Sequence, residues 1–486
     1  MNGHPTTEES CLDAILGHWD GSAGEPTDAP LISVEAFQHL VTRGSWVEIQ
    51  PDAAELTVNG ELWRIAIQAA LEEHGRVFLP ARAEPYYLDA PLILGSGQQL
   101  LAAPAAEIRL KPGTNTCMVR NDHIVSGQAA PVPGNGKPDR DIVIEGGIWT
   151  TLATSPSQSH GNMRGCADTA DSVPGAHGTI LLHNVERVRA RNLTIKECRP
   201  FGIQIGNASD FLIENICFEN QRRDGVHVEG PASFGVIRGL HGVTGDDIVA
   251  LNSWDWKHYS ITFGPIAHIL VDGVDVTGTN LFKWASNIRL LAGTKNFAGG
   301  EILECDIENC VIQNIRGIRM FQMFDQPNLE LGRENDFADP IGAMRNIFFN
   351  RIHLASSEEA AFQVASNVDG LSICHVEVLS ESSIPALVQI GPLSETYRHG
   401  STDPAKWVEI YSPDKDCTVR NLRIDHITPA ISPDLWVKIS EQKPNPDYPR
   451  TTPRGGTGKG RLLESMLAGM SPASTDHPIA DELLKS

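Results

Sequence analysis

The residues best suited to chemistry lie between Gln221 and Asn252, in the stretch QRRDGVHVEGPASFGVIRGLHGVTGDDIVALN. It holds three carboxylates, Asp224 in an Asp-Gly step and Asp246 and Asp247 in Gly-Asp-Asp, each leading into a short run of β-branched residues. Asp224 and Asp247 are 23 residues apart. If the chain winds with that period, the carboxylates stack on neighbouring coils roughly 5 Å apart, the strand spacing of a sheet. Carboxylates that close perturb each other, so that one holds a proton while another stays ionised. That is the pairing general acid–base chemistry requires.

The elements that would position them repeat along the chain. A phrase of strand, small or polar turn residue and second strand recurs in DIVIEGGIW (Asp141–Trp149), VRARNLTIKE (Val188–Glu197), FLIENICFEN (Phe211–Asn220), GVIRGLHGV (Gly235–Val243), ILVDGVDV (Ile269–Val276), LECDIENCVI (Leu303–Ile312), IFFNRIHL (Ile347–Leu354), LSICHVEV (Leu371–Val378) and CTVRNLRI (Cys417–Ile424). The turn residues Asn192, Asn215 and Gly239 are spaced 23 and 24 apart, as are Arg351 and His375 at 24. Such a period leaves no room for the helix of a βαβ unit and predicts a single-stranded parallel β-helix, all-β. Upstream, Glu61–Leu88 predicts an amphipathic helix ending before Gly75, with Leu62, Ile65 and Ala69 on its apolar face, then a strand at Val77–Leu79. That helix would cap the open end of the solenoid. Val34–Val41 is a second, short helical candidate. The organisation predicted is an extension over 1–60, a β-helix over 61–429 and a C-terminal arm over 430–486. The arm has a Pro/Gly-rich linker and a short helix at Leu462–Met470.

Composition narrows the classes. Forty-four glycines and only 6% aromatic residues in 486 suit many short strands joined by tight turns. A net charge of −22 argues against nucleic acid and anionic membrane surfaces as partners. No apolar run reaches the roughly 18 residues of a membrane helix, and the first residues lack a leader's basic and apolar regions, which points to a cytoplasmic location. The nine cysteines show no CxxC pattern. Cys217, Cys305, Cys310 and Cys374 sit in strand-like settings and read as buried free thiols. No metal and no cofactor is expected.

With the residues laid out, Thr179–Gly293 resembles glycoside hydrolase family 28, the polygalacturonase group of right-handed parallel β-helices. Asp224-Gly225 sits where that family has Asn-Thr-Asp-Gly, Gly245-Asp246-Asp247 matches its Gly-Asp-Asp, and Asn287-Ile288-Arg289 falls on its Arg-Ile-Lys strand. The resemblance implies cleavage of a glycosidic bond with inversion. Asp246 would be the general acid, Asp224 and Asp247 would draw a proton from water, and Arg289 would bind sugar carboxylates or hydroxyls. The departures are specific. Arg222 and Arg223 replace the family's Asn and Thr, its Gly-His-Gly segment has no clear counterpart, and Leu291 takes the place of its lysine. The loss of that lysine weighs against galacturonate as the substrate and leaves a different or neutral sugar open beside it.

Around this core, Arg222, Arg223, His227, Trp254, Trp256 and Lys257 are candidate substrate contacts; His227 reads equally as a partner for a carboxylate, and the tryptophans as loop anchors. Two long insertions, Ser253–Gly264 and Phe324–Gly342, and the arginines Arg316, Arg319 and Arg333 are placed to reach a substrate. Two other classes fit the scaffold, another sugar enzyme (lyase, epimerase or fructan-cleaving transferase) and a non-catalytic carbohydrate-binding β-helix. A homo-oligomer fits as well.

Overall fold

The computed structural model describes residues 6–18, 29–50, 52, 54–124, 136–152, 175–255, 260–276, 288–296, 302–318, 321–325, 343–354, 360–378, 384–391, 394–397, 408–411, 417–428, 433–439 and 460–467. The chain winds into a right-handed parallel β-helix. Its ladders are columns of apolar side chains contributed one per coil. One runs Leu92, Val119, Ile180, Ile203, Val226, Val249, Ile288, Phe321, Phe362, Val388 and Val437. A second runs from Ile32 and Val77 through Ile144, Ile213, Ile237 and Ile312 to Ile424. These columns face inward and form one continuous core. β-Branched and aromatic residues suit a position where each side chain touches its equivalents above and below.

The corners between strands need left-handed backbone. Asn192, Asn215, Gly239, Gly273, Asn314, Arg351 and His375 all have φ between 53° and 76°. Asparagine tolerates this region and hydrogen-bonds its neighbour, as Asn215 Nδ2 does to Asn192 Oδ1 at 2.8 Å.

Two helices frame the coil. Helix α1 (Glu8–His18) lies along the outside of the middle coils, with Cys11 and Ile15 on an apolar stripe of Leu212, Val236, Leu270, Val311 and Phe348. Asn350 Nδ2 donates to Glu8 Oε1 at 2.6 Å, His18 pairs with Asp210, and the His18 ring stacks on Phe234 at 3.9 Å. Helix α2 (Arg64–His74) covers the N-terminal end and stops at Gly75, whose φ of 74° closes the C-cap with an N–H to Leu71 O. The cap is as expected, but its buried face is Ala66, Ile67, Ala70 and Leu71; Ile65 is 44% exposed. The short helix near Val34 is 3-10, over Val34–Leu40.

The C-terminus corrects the sequence reading. Where a helix is expected at Leu462–Met470, the described residues Gly460–Leu467 form a strand that pairs in parallel with Cys417–Thr428. Val437–Ile439 likewise continues the first ladder. A ladder edge with apolar partners on offer outweighs the weak helical periodicity of nine residues. Among the described residues no helix is long and apolar enough to cross a membrane.

Candidate active site

The two acidic bends stack because the coils around them share a register. Val226 pairs with Val249, so Asp224 and Asp247 each precede their strand by two residues. Gly225 N donates to Asp247 O at 2.8 Å and Val226 N to Ile248 O at 2.8 Å, which fixes one bend on the other. Gly225 must be glycine: a Cβ there would sit 2.7 Å from Ile248 O and 2.9 Å from the Phe218 ring. Thr244 Oγ1 donates to Asp246 O at 2.7 Å and holds the second bend.

The result is a compact acidic trio. One oxygen from each of Asp224, Asp246 and Asp247 lies within 4.8 Å of the others, and the residues are 3%, 4% and 0% exposed. Such a cluster needs positive charge. Arg289 Nε comes within 2.9 Å of Asp247 Oδ2, and Arg223 Nη1 within 3.6 Å of Asp246 Oδ2. The oxygens are close enough to share a cation, and the two guanidiniums place positive charge beside them.

Strand alternation delivers the rest. Val226 and Val228 point inward, so His227 and Glu229 point towards the site, and Arg289 comes from the same outward column two coils on. His227 Nδ1 and Asp224 Oδ2 share a hydrogen bond of 2.7 Å. The imidazole stacks on Phe201 at 4.1 Å with an interplanar angle of 7°. Its Nε2 lies 3.5 Å from Asp255 Oδ2 and 4.0 Å from Glu229 Oε1. Asn252 Nδ2 donates to Asp255 Oδ2 at 2.6 Å. Glu229, fully buried, accepts from Gln204 Nε2 and from the backbone N–H groups of Ile261 (2.8 Å) and Thr262 (3.3 Å), fastening that loop beside the site.

The electrostatics follow. Burial, then the charge of Asp246, pushes Asp224 up from 3.8 to about 8, although Arg223 and Arg289 pull it down. Burial pushes Glu229 up to about 8 against its hydrogen bonds. His227 is pushed down to about 4 by burial, with Asp255 acting the other way. For Arg289 burial disfavours the charge, yet Asp247, Asp246, Asp224 and Asp255 together raise its pKa. These directions favour a proton on Asp224 and on Glu229, and a neutral His227, at neutral pH.

Of the residues singled out in the sequence, the structure brings together Asp224, Asp246, Asp247, Arg223, Arg289 and His227. Arg222 is half-buried, with its backbone N–H on Cys198 O. Trp254 is a correction. It is 1% exposed and packs with Phe263 and Cys305, over Gly293, where a Cβ would come within 2.6 Å of it, so it anchors its loop and offers no face to a sugar. Trp256, Lys257, Arg319 and Arg333 lie outside the described residues. Arg316 and His241 line a separate hollow on the outer wall together with Asp275 and His353. Glu229, Asp255 and Gln204 were not singled out from sequence, although the alternation in Val226-His227-Val228-Glu229 already put Glu229 on the face of His227.

No family model matches the chain, and no curated protein matches its sequence. Among solved structures, a hyperthermoactive exopolygalacturonase from Thermotoga maritima superposes with a TM-score of 0.53 at 12% identity, covering 95% of this chain and 96% of that one. The family 28 exopolygalacturonase of Yersinia enterocolitica gives 0.45 at 12% identity over 90% of this chain and 78% of that one. PfbA, a surface adhesin of Streptococcus pneumoniae, gives 0.42 at 10% identity over 90% of each chain. The likeness to the Thermotoga protein is one of fold.

Proposed function

We propose that this protein is a glycosidase that cleaves a plant or microbial poly- or oligosaccharide by acid–base catalysis on the trio Asp224, Asp246 and Asp247. The observation that carries this reading is the meeting of three buried carboxylates, from bends 23 residues apart, between two arginines. Cleavage of a glycosidic bond needs a proton for the leaving oxygen and a carboxylate to activate water. Asp246 has an oxygen, Oδ1, without a protein hydrogen-bond partner, and is the member that meets the glycosidic oxygen. The trio holds one proton, at rest on Asp224. That proton passes to Asp246 and then to the leaving oxygen as the carbon–oxygen bond breaks. Water forms the new bond to the anomeric carbon and gives a proton back to Asp224, while Asp247, held by Arg289, stays ionised and orients the water. Arg223 lies over the Phe201 ring at 5.8 Å, where it can contact sugar hydroxyls or carboxylates beside Asp246.

A second reading follows from the spacing. Carboxylates of inverting enzymes are commonly roughly 6.5–9.5 Å apart and those of retaining enzymes about 5–5.5 Å. Oxygens within 4.8 Å favour retention through a covalent intermediate. In the inverting reading, Asp224 and Asp247 hold water beside Asp246, so no wide gap is needed. Incubating the purified protein with a panel of neutral and acidic glycans, with NMR of the first-formed anomer, tests both. Inverted product supports the main reading and retained product the second. No cleavage of any glycan, or an unsaturated product, overturns the glycosidase assignment.

A further inference from the structure

The buried histidine beside the trio faces acid oxygens from both ring nitrogens, but makes a hydrogen bond only through Nδ1. On one side Nδ1 meets Asp224 Oδ2 at 2.7 Å. On the other, Nε2 faces Asp255 Oδ2 at 3.5 Å, with Glu229 Oε1 next at 4.0 Å. Asp255 Oδ2 already receives the Asn252 amide at 2.6 Å, and Glu229 Oε1 receives the Gln204 amide. Asp255 Oδ2 is therefore the nearer lone-pair oxygen on that side, and Glu229 Oε1 lies beyond hydrogen-bond reach. A neutral imidazole carries one N–H, and which nitrogen bears it is set by the bond the other makes. A bare lone pair on Nε2 would face those acid oxygens and be repelled by them, which favours the hydrogen on that nitrogen. Nδ1 is then bare and can only accept, so the hydrogen of the 2.7 Å bond must come from Asp224.

We propose that His227 is a positioning residue whose Nε2–H tautomer, fixed by Asp255, keeps the shared proton of the acidic trio on Asp224. The proposal deepens the glycosidase reading and rests on it for its activity test alone. The setting is built for a fixed tautomer. The ring is 1% exposed and lies flat on Phe201, so it cannot flip without breaking that stack. The charged groups around it are Asp224, Asp246 and Asp247 from the two bends, Arg223 beside them, Arg289 two coils on, Glu229 on its own strand and Asp255 from the following loop. Burial disfavours the imidazolium more than these acids support it, so His227 stays neutral at working pH. An imidazolium would donate to Asp224 from Nδ1 and force it to ionise, which would take the proton out of the trio. The sequence shows no such arrangement, because Asp255 lies 28 residues after His227 and reaches it through a turn of the coil.

The test is the tautomer of His227 in the full-length protein. Nitrogen-15 NMR of histidine-labelled protein, with the signals assigned by their loss in His227→Gln, reads the protonation of each ring nitrogen directly. A neutral ring with hydrogen on Nε2 and none on Nδ1 at pH 7 is expected. A ring with hydrogen on Nδ1, or an imidazolium, overturns the proposal whether or not the protein cleaves a glycan. Asp255→Asn supplies a second measurement, and assigns the signals by their shift if His227→Gln does not fold. It should allow the Nδ1–H tautomer and move the alkaline fall of kcat down by about one pH unit, a tenfold weaker hold on the Asp224 proton. An unchanged tautomer in Asp255→Asn would refute the role of Asp255. Loss of activity without any change in tautomer or profile would leave Asp255 a merely structural residue, which also defeats the proposal.

Discussion

Replacing Arg289 by leucine probes the electrostatic balance of the site most severely. Its Nε lies 2.9 Å from Asp247 Oδ2, and Asp247 is 0% exposed. At an effective dielectric of about 20, unit charges at that distance attract by roughly 6 kcal/mol. Much of that offsets the desolvation of both groups, so the intact pair adds little net stability. Removing one partner is another matter, because it leaves a buried carboxylate next to two more. Breaking such a pair typically costs about 3–5 kcal/mol. The Arg289→Leu protein should melt roughly 3–5 °C lower at pH 7, since a chain of 486 residues shifts its Tm by only about 1 °C per kcal/mol. The double variant Arg289→Leu/Asp247→Asn should recover most of the loss, since it removes the stranded charge. Thermal unfolding of wild type, Arg289→Leu, Asp247→Asn and the double variant at pH 7 measures each of these terms. A single variant as stable as wild type, or a double variant no better than the single, would refute the claim that the guanidinium exists to balance the trio.

Three further outcomes follow. An aryl glycoside with a good leaving group should restore much of the activity lost in Asp246→Asn, because departure then needs no proton, and little of that lost in Asp247→Asn; equal rescue of both in a leaving-group series would move the acid role away from Asp246. Asp224 is raised from 3.8 to about 8, so its contribution to stability is complete below its ordinary range and is lost as pH climbs to about 8, at about 1.4 kcal/mol per pH unit. Asp224→Asn should flatten that alkaline slope in denaturant titrations, whereas the acid limb, where neutral His227 must charge between 6.5 and about 4, should persist. Ile15→Asp puts a carboxylate into the stripe under α1, and amide exchange in Glu8–His18 should become fast while the coils beneath stay protected; slow exchange there would contradict the packing.

How much was legible in the chain depends on the kind of signal. The coil was readable because a solenoid repeats its environment, so Asn192, Asn215 and Gly239 recur at the winding period, and the same arithmetic stacks Asp224 on Asp247. The end of the solenoid was not, because the terminal strand Gly460–Leu467 follows a long Pro/Gly-rich stretch that hides the period. Helix α1 was missed because only Cys11 and Ile15 are buried, too few apolar positions to stand out. Trp254 was misjudged because a tryptophan after an acidic strand looks alike whether it anchors a loop or faces a ligand; only the hollow over Gly293 decides it. The support around His227 was half visible. Alternation placed Glu229, but Asp255 arrives through a bend that no periodicity describes.

The central claim, that the trio performs the chemistry, is tested most directly by the rate at which new reducing ends form on a cleaved glycan with wild type and with Asp246→Asn. The account predicts at least a 100-fold loss in kcat for a variant whose circular dichroism and Tm match wild type. A folded Asp246→Asn protein that turns over as fast as wild type would contradict it.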